Sequence, residues 1–275
     1  MRRQRPALGE VVPSHVNVSL RSPFNDIAKL YDEARPGYPE QLIEDVISLS
    51  AIPPNGSILE IGCGTGQATL PFARRGYSML CLELGGALAA LAAEHCRPYP
   101  HVAVRNVSFE EWPLQGGAFD LVLSAQAFDW IPPEIGYPKA AAALKDTGSL
   151  ALFWNHHLGG DAPFFRAVKE ARRRIAPQTF TAADEKPLEA VISERAAEIT
   201  ASGLLGEVAV RRYHWSEEYT TERYLKLLST YSTLRSLAEE VRRDLLAGTR
   251  ELLERHGGVV ETSYLAVLYV ARVRR

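Results

Sequence analysis

Two acids and three glycines carry the first chemical signal in this chain of 275 residues. In "SILEIGCGTGQATLPF" (57–72) an apolar run contains Glu60, and Gly62, Gly64 and Gly66 follow at alternate positions before a helical stretch. Glycines so spaced let the main chain take conformations closed to other residues and approach a ligand closely. The dinucleotide pattern G-x-G-x-x-G would need a glycine at Gln67, and a phosphate loop would end in Gly-Lys-Ser/Thr, which is absent. Both phosphate readings lose their specific element. Glu83 stands 21 residues beyond Gly62, at the end of the next apolar run. An acid there accepts hydrogen bonds from ribose hydroxyls at a neighbouring strand end. An adenosine-bearing ligand without a demanding phosphate suits loop and acid together.

Other reactive side chains are weaker candidates. Cys63 lies inside the loop with no histidine base adjacent in sequence, so a thiol nucleophile is not expected. His156 and His157 follow an apolar run and read as loop residues near a site mouth. No third ligand accompanies them, so no metal site is expected.

The elements that must position these residues alternate. Strands are expected at 57–62, 77–84, 101–107, 118–125 and 148–155, with helices at 67–76, 86–96 and 137–146 between them. Such alternation implies an α/β fold with a parallel, doubly wound sheet. Two helical pieces precede it, broken at "RPGYP" by Pro36, Gly37 and Pro39. After Asn155 the rhythm changes: strand candidates at 207–215 and in the last fifteen residues are flanked by helical segments at about 161–205 and 216–257, placed where a lid would sit. Residues 1–22 show no period and read as a flexible N-terminal arm; residues 23–275 read as a single domain.

Composition narrows the partners. Lys plus Arg number 31 against 33 Asp plus Glu, a net charge of −2, which gives no reason to expect nucleic acid or an anionic membrane. No apolar stretch suits a bilayer span. Three irregularly spaced cysteines (Cys63, Cys81, Cys96) fit neither a disulfide framework nor zinc and suggest a cytoplasmic protein.

With these residues in view, the chain resembles the class I S-adenosylmethionine-dependent methyltransferases. The likeness is carried by "LEIGCGTGQAT", "CLELGGALAALA" and "VRNVSFEEWPLQGGAFDLVLSAQAFDWI". "FNDIAKLYDEARPGYP" and the C-terminal stretch from Tyr231 resemble the small-molecule branch that includes trans-aconitate methyltransferase-like proteins. The resemblance implies a Rossmann-like, mostly parallel seven-stranded sheet with a helical lid. It implies S-adenosylmethionine as cofactor, S-adenosylhomocysteine as product and a small-molecule methyl acceptor, with O-methylation of a carboxylate favoured.

It also implies roles. Glu60 and the loop Gly62, Cys63, Gly64 and Gly66 hold the methionine end. Glu83 takes the ribose hydroxyls and Leu84 packs on adenine. Ser108 and Phe109 contact the base, with Glu110 standing in for the family's missing acid. Tyr31 and Arg35 cover the cofactor, Arg35 facing its carboxylate. Gln126, Phe128 and Trp130 flank the sulfonium on the acceptor side, where aromatic faces attract a cation by about 0.5–2 kcal/mol. Asp129 replaces a family histidine and, with His157, is a candidate base. Two rivals stay open: a non-catalytic S-adenosylmethionine-binding sensor or partner subunit, favoured by that replacement, and an NAD-linked oxidoreductase, disfavoured by Gln67.

Overall fold

The run at 57–62 becomes an inner strand because it buries both faces, as parallel strands under two helix layers do. In the computed structural model, which describes residues 27–158, 163–179 and 186–274, β1 (Ser57–Ile61) has Ile58, Leu59, Glu60 and Ile61 all buried. The expected arm at 1–22 lies outside the described residues. The other strands are β2 (Ser78–Glu83), β3 (Val102–Asn106), β4 (Phe119–Ala125), β5 (Leu144–Leu158), β6 (Ala209–Thr220) and β7 (Val259–Arg272). They form one seven-stranded sheet in the order β3-β2-β1-β4-β5-β7-β6. β7 runs antiparallel to β5 and β6, and the remaining pairs are parallel. This is the doubly wound, Rossmann-like α/β architecture expected.

Ten α-helices are described: α1 (Ala28–Ala34), α2 (Glu40–Ser50), α3 (Thr69–Arg74), α4 (Gly86–Cys96), α5 (Pro133–Ala143), α6 (Pro163–Ile175), α7 (Leu188–Ala201), α8 (Thr221–Ser229), α9 (Ser232–Arg235) and α10 (Glu239–Arg255). Alternating strand side chains divide the core. Ile58, Met79, Leu121 and Phe153 pack with Leu42, Ile43, Phe72 and Ala92 of α2, α3 and α4. Leu59, Leu82, Val122 and Leu152 pack with Tyr137 and Ala140 of α5 and Ile192 and Ile199 of α7. A third cluster, centred on Tyr219, Tyr224, Tyr264, Phe164 and Leu253, joins α6, α8, α9 and α10 to the outer ends of β6 and β7.

Three boundaries differ from the sequence reading. β5 runs from Leu144 to Leu158 because Leu144 pairs with Phe119 of β4 and because β7 pairs with it from Ser149 through Leu158. His156 and His157 are therefore strand residues on opposite faces, not loop residues. The Ala-rich helix ends at Ala143, and residues 144–146 already open β5. Of the expected cap segments, α7 lies on the sheet through Leu188, Ile192 and Ile199, and 216–220 belongs to β6. Among the described residues, no helix is long and apolar enough to cross a membrane.

The strand order reverses at β1, flanked by β2 on one side and β4 on the other. Ligands of open α/β sheets bind outside the carboxyl ends of the strands at such a point. The glycine loop leaves β1 there. Gly62 takes φ +70°, and a Cβ added to it would lie 2.4 Å from Cβ of Ala127 in the loop after β4. Gly62→Ala should therefore cost about 2 kcal/mol or more, from left-handed backbone and overpacking together. Urea unfolding checks this; wild-type stability would show that the two loops can separate freely.

Candidate active site

The loop is hung from β2. The N–H groups of Gly62 and Cys63 both donate to the Leu82 carbonyl, at 2.9 and 3.1 Å. At the tip of β2, Glu83 accepts from the Gly64 N–H at 2.9 Å and from the Gly85 N–H at 2.8 Å. Burial raises the Glu83 carboxyl pKa, and those N–H bonds oppose the shift. Each oxygen retains acceptor capacity for a further donor.

Glu60 is fully buried on the opposite side of the loop. Its Oε2 accepts from the Thr69 hydroxyl at 2.6 Å and the Cys81 thiol at 3.5 Å, while Oε1 meets no donor among the described residues. Burial pushes this carboxyl up to about 7, against the two side-chain bonds. An acid buried with one oxygen unmatched is costly, and a cationic donor would offset that cost.

Two clefts open at the carboxyl ends of β1, β2 and β4. The larger, about 820 Å³, is lined by Glu83, Leu84, Ser108, Phe109, Glu110 and Trp130, among others. The smaller, about 650 Å³, has Glu60, Cys63, Arg35, Asn155, His157 and Tyr264 in its wall. They meet: Tyr31, Gly62, Gly64, Ala125 and Gln126 line both. Gln126 is a non-glycine residue at φ +62°, a conformation that persists only where neighbours enforce it. Its N–H donates to the Phe153 carbonyl, and its side-chain oxygen accepts from the Asn155 N–H, both at 3.0 Å. β5 thereby holds the β4 tip.

Helix α1 supplies Tyr31 and stops at Arg35, which precedes Pro36 and is extended (ψ 134°), as proline demands of its predecessor. The Arg35 guanidinium donates to the Thr230 hydroxyl at 2.9 Å and the Thr230 carbonyl at 3.0 Å. It lies 4.9 Å from the Tyr31 ring centre and 5.0 Å from that of Tyr231.

Most of the predicted residues gather here, and some do not. Tyr31, Gly62, Gly64, Glu83, Leu84, Ser108, Phe109, Glu110 and Gln126 line the larger cleft; Arg35, Glu60, Cys63 and His157 line the smaller. Gly66 sits behind the loop at φ +102°. Asp129 is withdrawn: its carboxylate forms an ion pair with Arg195 of α7, and it lines neither cleft. Phe128 turns into the core, its ring centre 5.1 Å from that of Tyr137. Trp130 borders the larger cleft beside Glu83 and Phe109, not the smaller one.

Cys63 is buried beside Cys81, and that contact and burial raise its thiol well above the ordinary range, which fits a structural role. His156 faces the Arg195 side; burial, and then that guanidinium, depress its pKa to about 4 and keep it neutral. Among the described residues no three metal-ligating side chains gather. Sequence reading missed Tyr231, Tyr264 and Asn155 as lining residues and Arg195 as the partner of Asp129.

This geometry is that of an open α/β protein with its clefts at the switch point. Comparison with known proteins narrows it. Residues 58–148 match the methyltransferase domain. Over 256 residues the chain is 25% identical to an uncharacterized methyltransferase of Mycobacterium tuberculosis, covering 90% of this chain and 92% of that one. It is 32% identical over 93 residues to trans-aconitate 2-methyltransferase of Deinococcus radiodurans, a stretch covering 33% of each. Its fold is similar to that of a Haemonchus contortus phosphoethanolamine N-methyltransferase solved with S-adenosylhomocysteine. That likeness has a TM-score of 0.55 and 16% identity, and covers 94% of this chain and 61% of that one. The chain is a class I S-adenosylmethionine-dependent methyltransferase.

Two outcomes are expected. The buried Glu60 carboxyl stays protonated in the folded chain where the unfolded chain has already ionised. Stability of the ligand-free protein should thus fall as pH rises from 4.5 to about 7, then level. The total is on the order of 3 kcal/mol. Denaturant titrations across that window check it, and Glu60→Gln should flatten the slope. Separately, Glu83→Ala should weaken S-adenosylhomocysteine binding at least tenfold, about 1.4 kcal/mol, by calorimetry.

Proposed function

We propose that this enzyme transfers a methyl group from S-adenosylmethionine to an oxygen of a small carboxylic acid. The observation that carries the reading is the meeting of the two clefts at Gly62, Gly64 and Gln126. A ligand spanning them would have its adenosine beside Glu83, Phe109 and Trp130 and its amino-acid end beside Glu60. Its centre would face Gln126. The unmatched Glu60 oxygen suits the cofactor's ammonium group, and Glu83 suits its ribose hydroxyls. Bound there, S-adenosylmethionine supplies an electrophilic methyl group on its sulfonium sulfur.

The chain's own residues then orient the acceptor in the smaller cleft. Arg35, steadied by Thr230 and by the rings of Tyr31 and Tyr231, offers a cationic edge to a carboxylate. Here Arg35 is assigned to the acceptor, although the cofactor's carboxylate, which the sequence reading gave it, would lie in the same cleft beside Glu60. Tyr38, Asn155, His157 and Tyr264 complete the wall and limit the size of what enters. An ionised carboxylate needs no base, which agrees with Asp129 being paired to Arg195. Holding both reactants in line can contribute about 7–11 kcal/mol. His157 remains the group able to take a proton from an acceptor that carries one. The Deinococcus relative supports the acid class, since its named substrate, trans-aconitate, is a polycarboxylate.

The test is release of S-adenosylhomocysteine across a panel of small carboxylic acids, phenols and amines. Acids should turn over, Arg35→Gln should raise their KM about tenfold or more, and His157→Ala should leave their kcat within a few-fold. Turnover confined to phenols or amines, and abolished by His157→Ala, would overturn the acid reading.

A further inference from the structure

Residues 108–112, between β3 and β4, form a single turn that carries three residues of the larger cleft. Ser108 opens the turn: its hydroxyl accepts from the Glu111 N–H at 3.1 Å, and its carbonyl accepts from the Trp112 N–H at 2.9 Å. So short a turn has little stability of its own. At its far end the carbonyls of Glu110 and Trp112 both accept from one ammonium group. This is Lys139 of α5, at 2.9 and 2.6 Å. A cation at the carbonyl end of a helical turn is favourably placed.

The same ammonium lies 5.4 Å from the ring centre of Phe109 and 5.8 Å from that of Trp112. Those two rings stack on each other at 6.3 Å with 15° between planes. One cation thus ties the turn's backbone and one face of its aromatic pair to a helix packed on the sheet. The side chain is half-buried, and burial lowers the Lys139 pKa. Lys139 itself lines neither cleft, so any effect on a ligand passes through Ser108, Phe109 and Glu110.

We infer that Lys139 is a positioning residue for recognition of the cofactor's base: it fixes the 108–112 turn so that Phe109 and its neighbours meet adenine at one height and angle. This rests on the reading that the larger cleft takes the adenosine half. The residue's 27- and 29-residue separations from its carbonyl partners place it outside the local signature of the site.

The experiment compares calorimetric affinities for S-adenosylhomocysteine and for S-inosylhomocysteine, which carries a 6-oxo group in place of the 6-amino group. The wild-type protein should prefer the adenine form. In Lys139→Met, which keeps the length but loses the donors, Kd for S-adenosylhomocysteine should rise about tenfold. The inosine form should lose only about twofold, so the preference contracts. Lys139→Arg should keep part of the preference, and it supplies the same ratio if Lys139→Met does not fold. A role confined to stability would lower the melting temperature and leave the ratio unchanged. An unchanged ratio in both variants, or no wild-type preference, overturns the proposal. If Glu83→Ala also binds S-adenosylhomocysteine as tightly as wild type, the assignment of the cleft fails with it. If Glu83→Ala is weakened while the Lys139 variants are not, only the present inference falls.

Discussion

A single buried carboxylate sets the shape of the larger cleft. Glu83 ends β2 and accepts N–H groups from Gly64 in the β1 loop and from Gly85 at the start of α4. It therefore ties two adjacent strand ends together at the point where strand order reverses. Backbone N–H bonds of this kind favour the charged form, which burial alone would disfavour. Without such a bridge a loop with glycines at 62, 64 and 66 would have far more conformations to lose on ordering. The same bridge leaves both oxygens with acceptor capacity, and the group that shapes the cleft also lines it.

Around that bridge the loops of the site are held by groups far away in sequence. Gln126 is fixed by β5, Arg35 by Thr230 at the end of α8, the 108–112 turn by Lys139, and the turn at Phe128–Trp130 through the Asp129–Arg195 pair to α7. Arg195 also lies 4.8 Å from the Trp154 ring centre, which places that ion pair against the aromatic core beneath the sheet. Each tether joins a mobile type of segment to a helix or strand already anchored by apolar packing. A site assembled from several strand-end loops needs this, since a shift of an ångström at any of them would misalign two bound reactants. Glu60 makes the contrasting case. It is held on one oxygen and left unmatched on the other, a cost to the empty protein that a cationic ligand would offset.

Legibility in the sequence tracked how local each interaction is. β1 to β4 were readable within about a residue, because buried parallel strands write themselves as short apolar runs between turn residues. α4 was readable at Gly86–Cys96 for the same local reason. β5 was read too short, since its start is set by pairing with Phe119 of β4 and its end by pairing with β7 more than a hundred residues away. Phe128, Asp129 and Trp130 were expected on the acceptor side, yet of the three Trp130 alone borders a cleft. Their directions were misread because a 3₁₀ turn sends three successive side chains to three different places. Asp129 looked like a base only while Arg195 was invisible.

The order of residues by itself determined the alternation of strands and helices, the glycine loop and the two acids that follow from it, since each depends on neighbours within a few positions. Tertiary structure alone decided which tyrosines line the smaller cleft, which carboxylate is held in an ion pair and which cations hold the loops. Those outcomes depend on packing between elements tens to hundreds of residues apart, and side-chain direction at such contacts is set by the sheet's topology rather than by local periodicity.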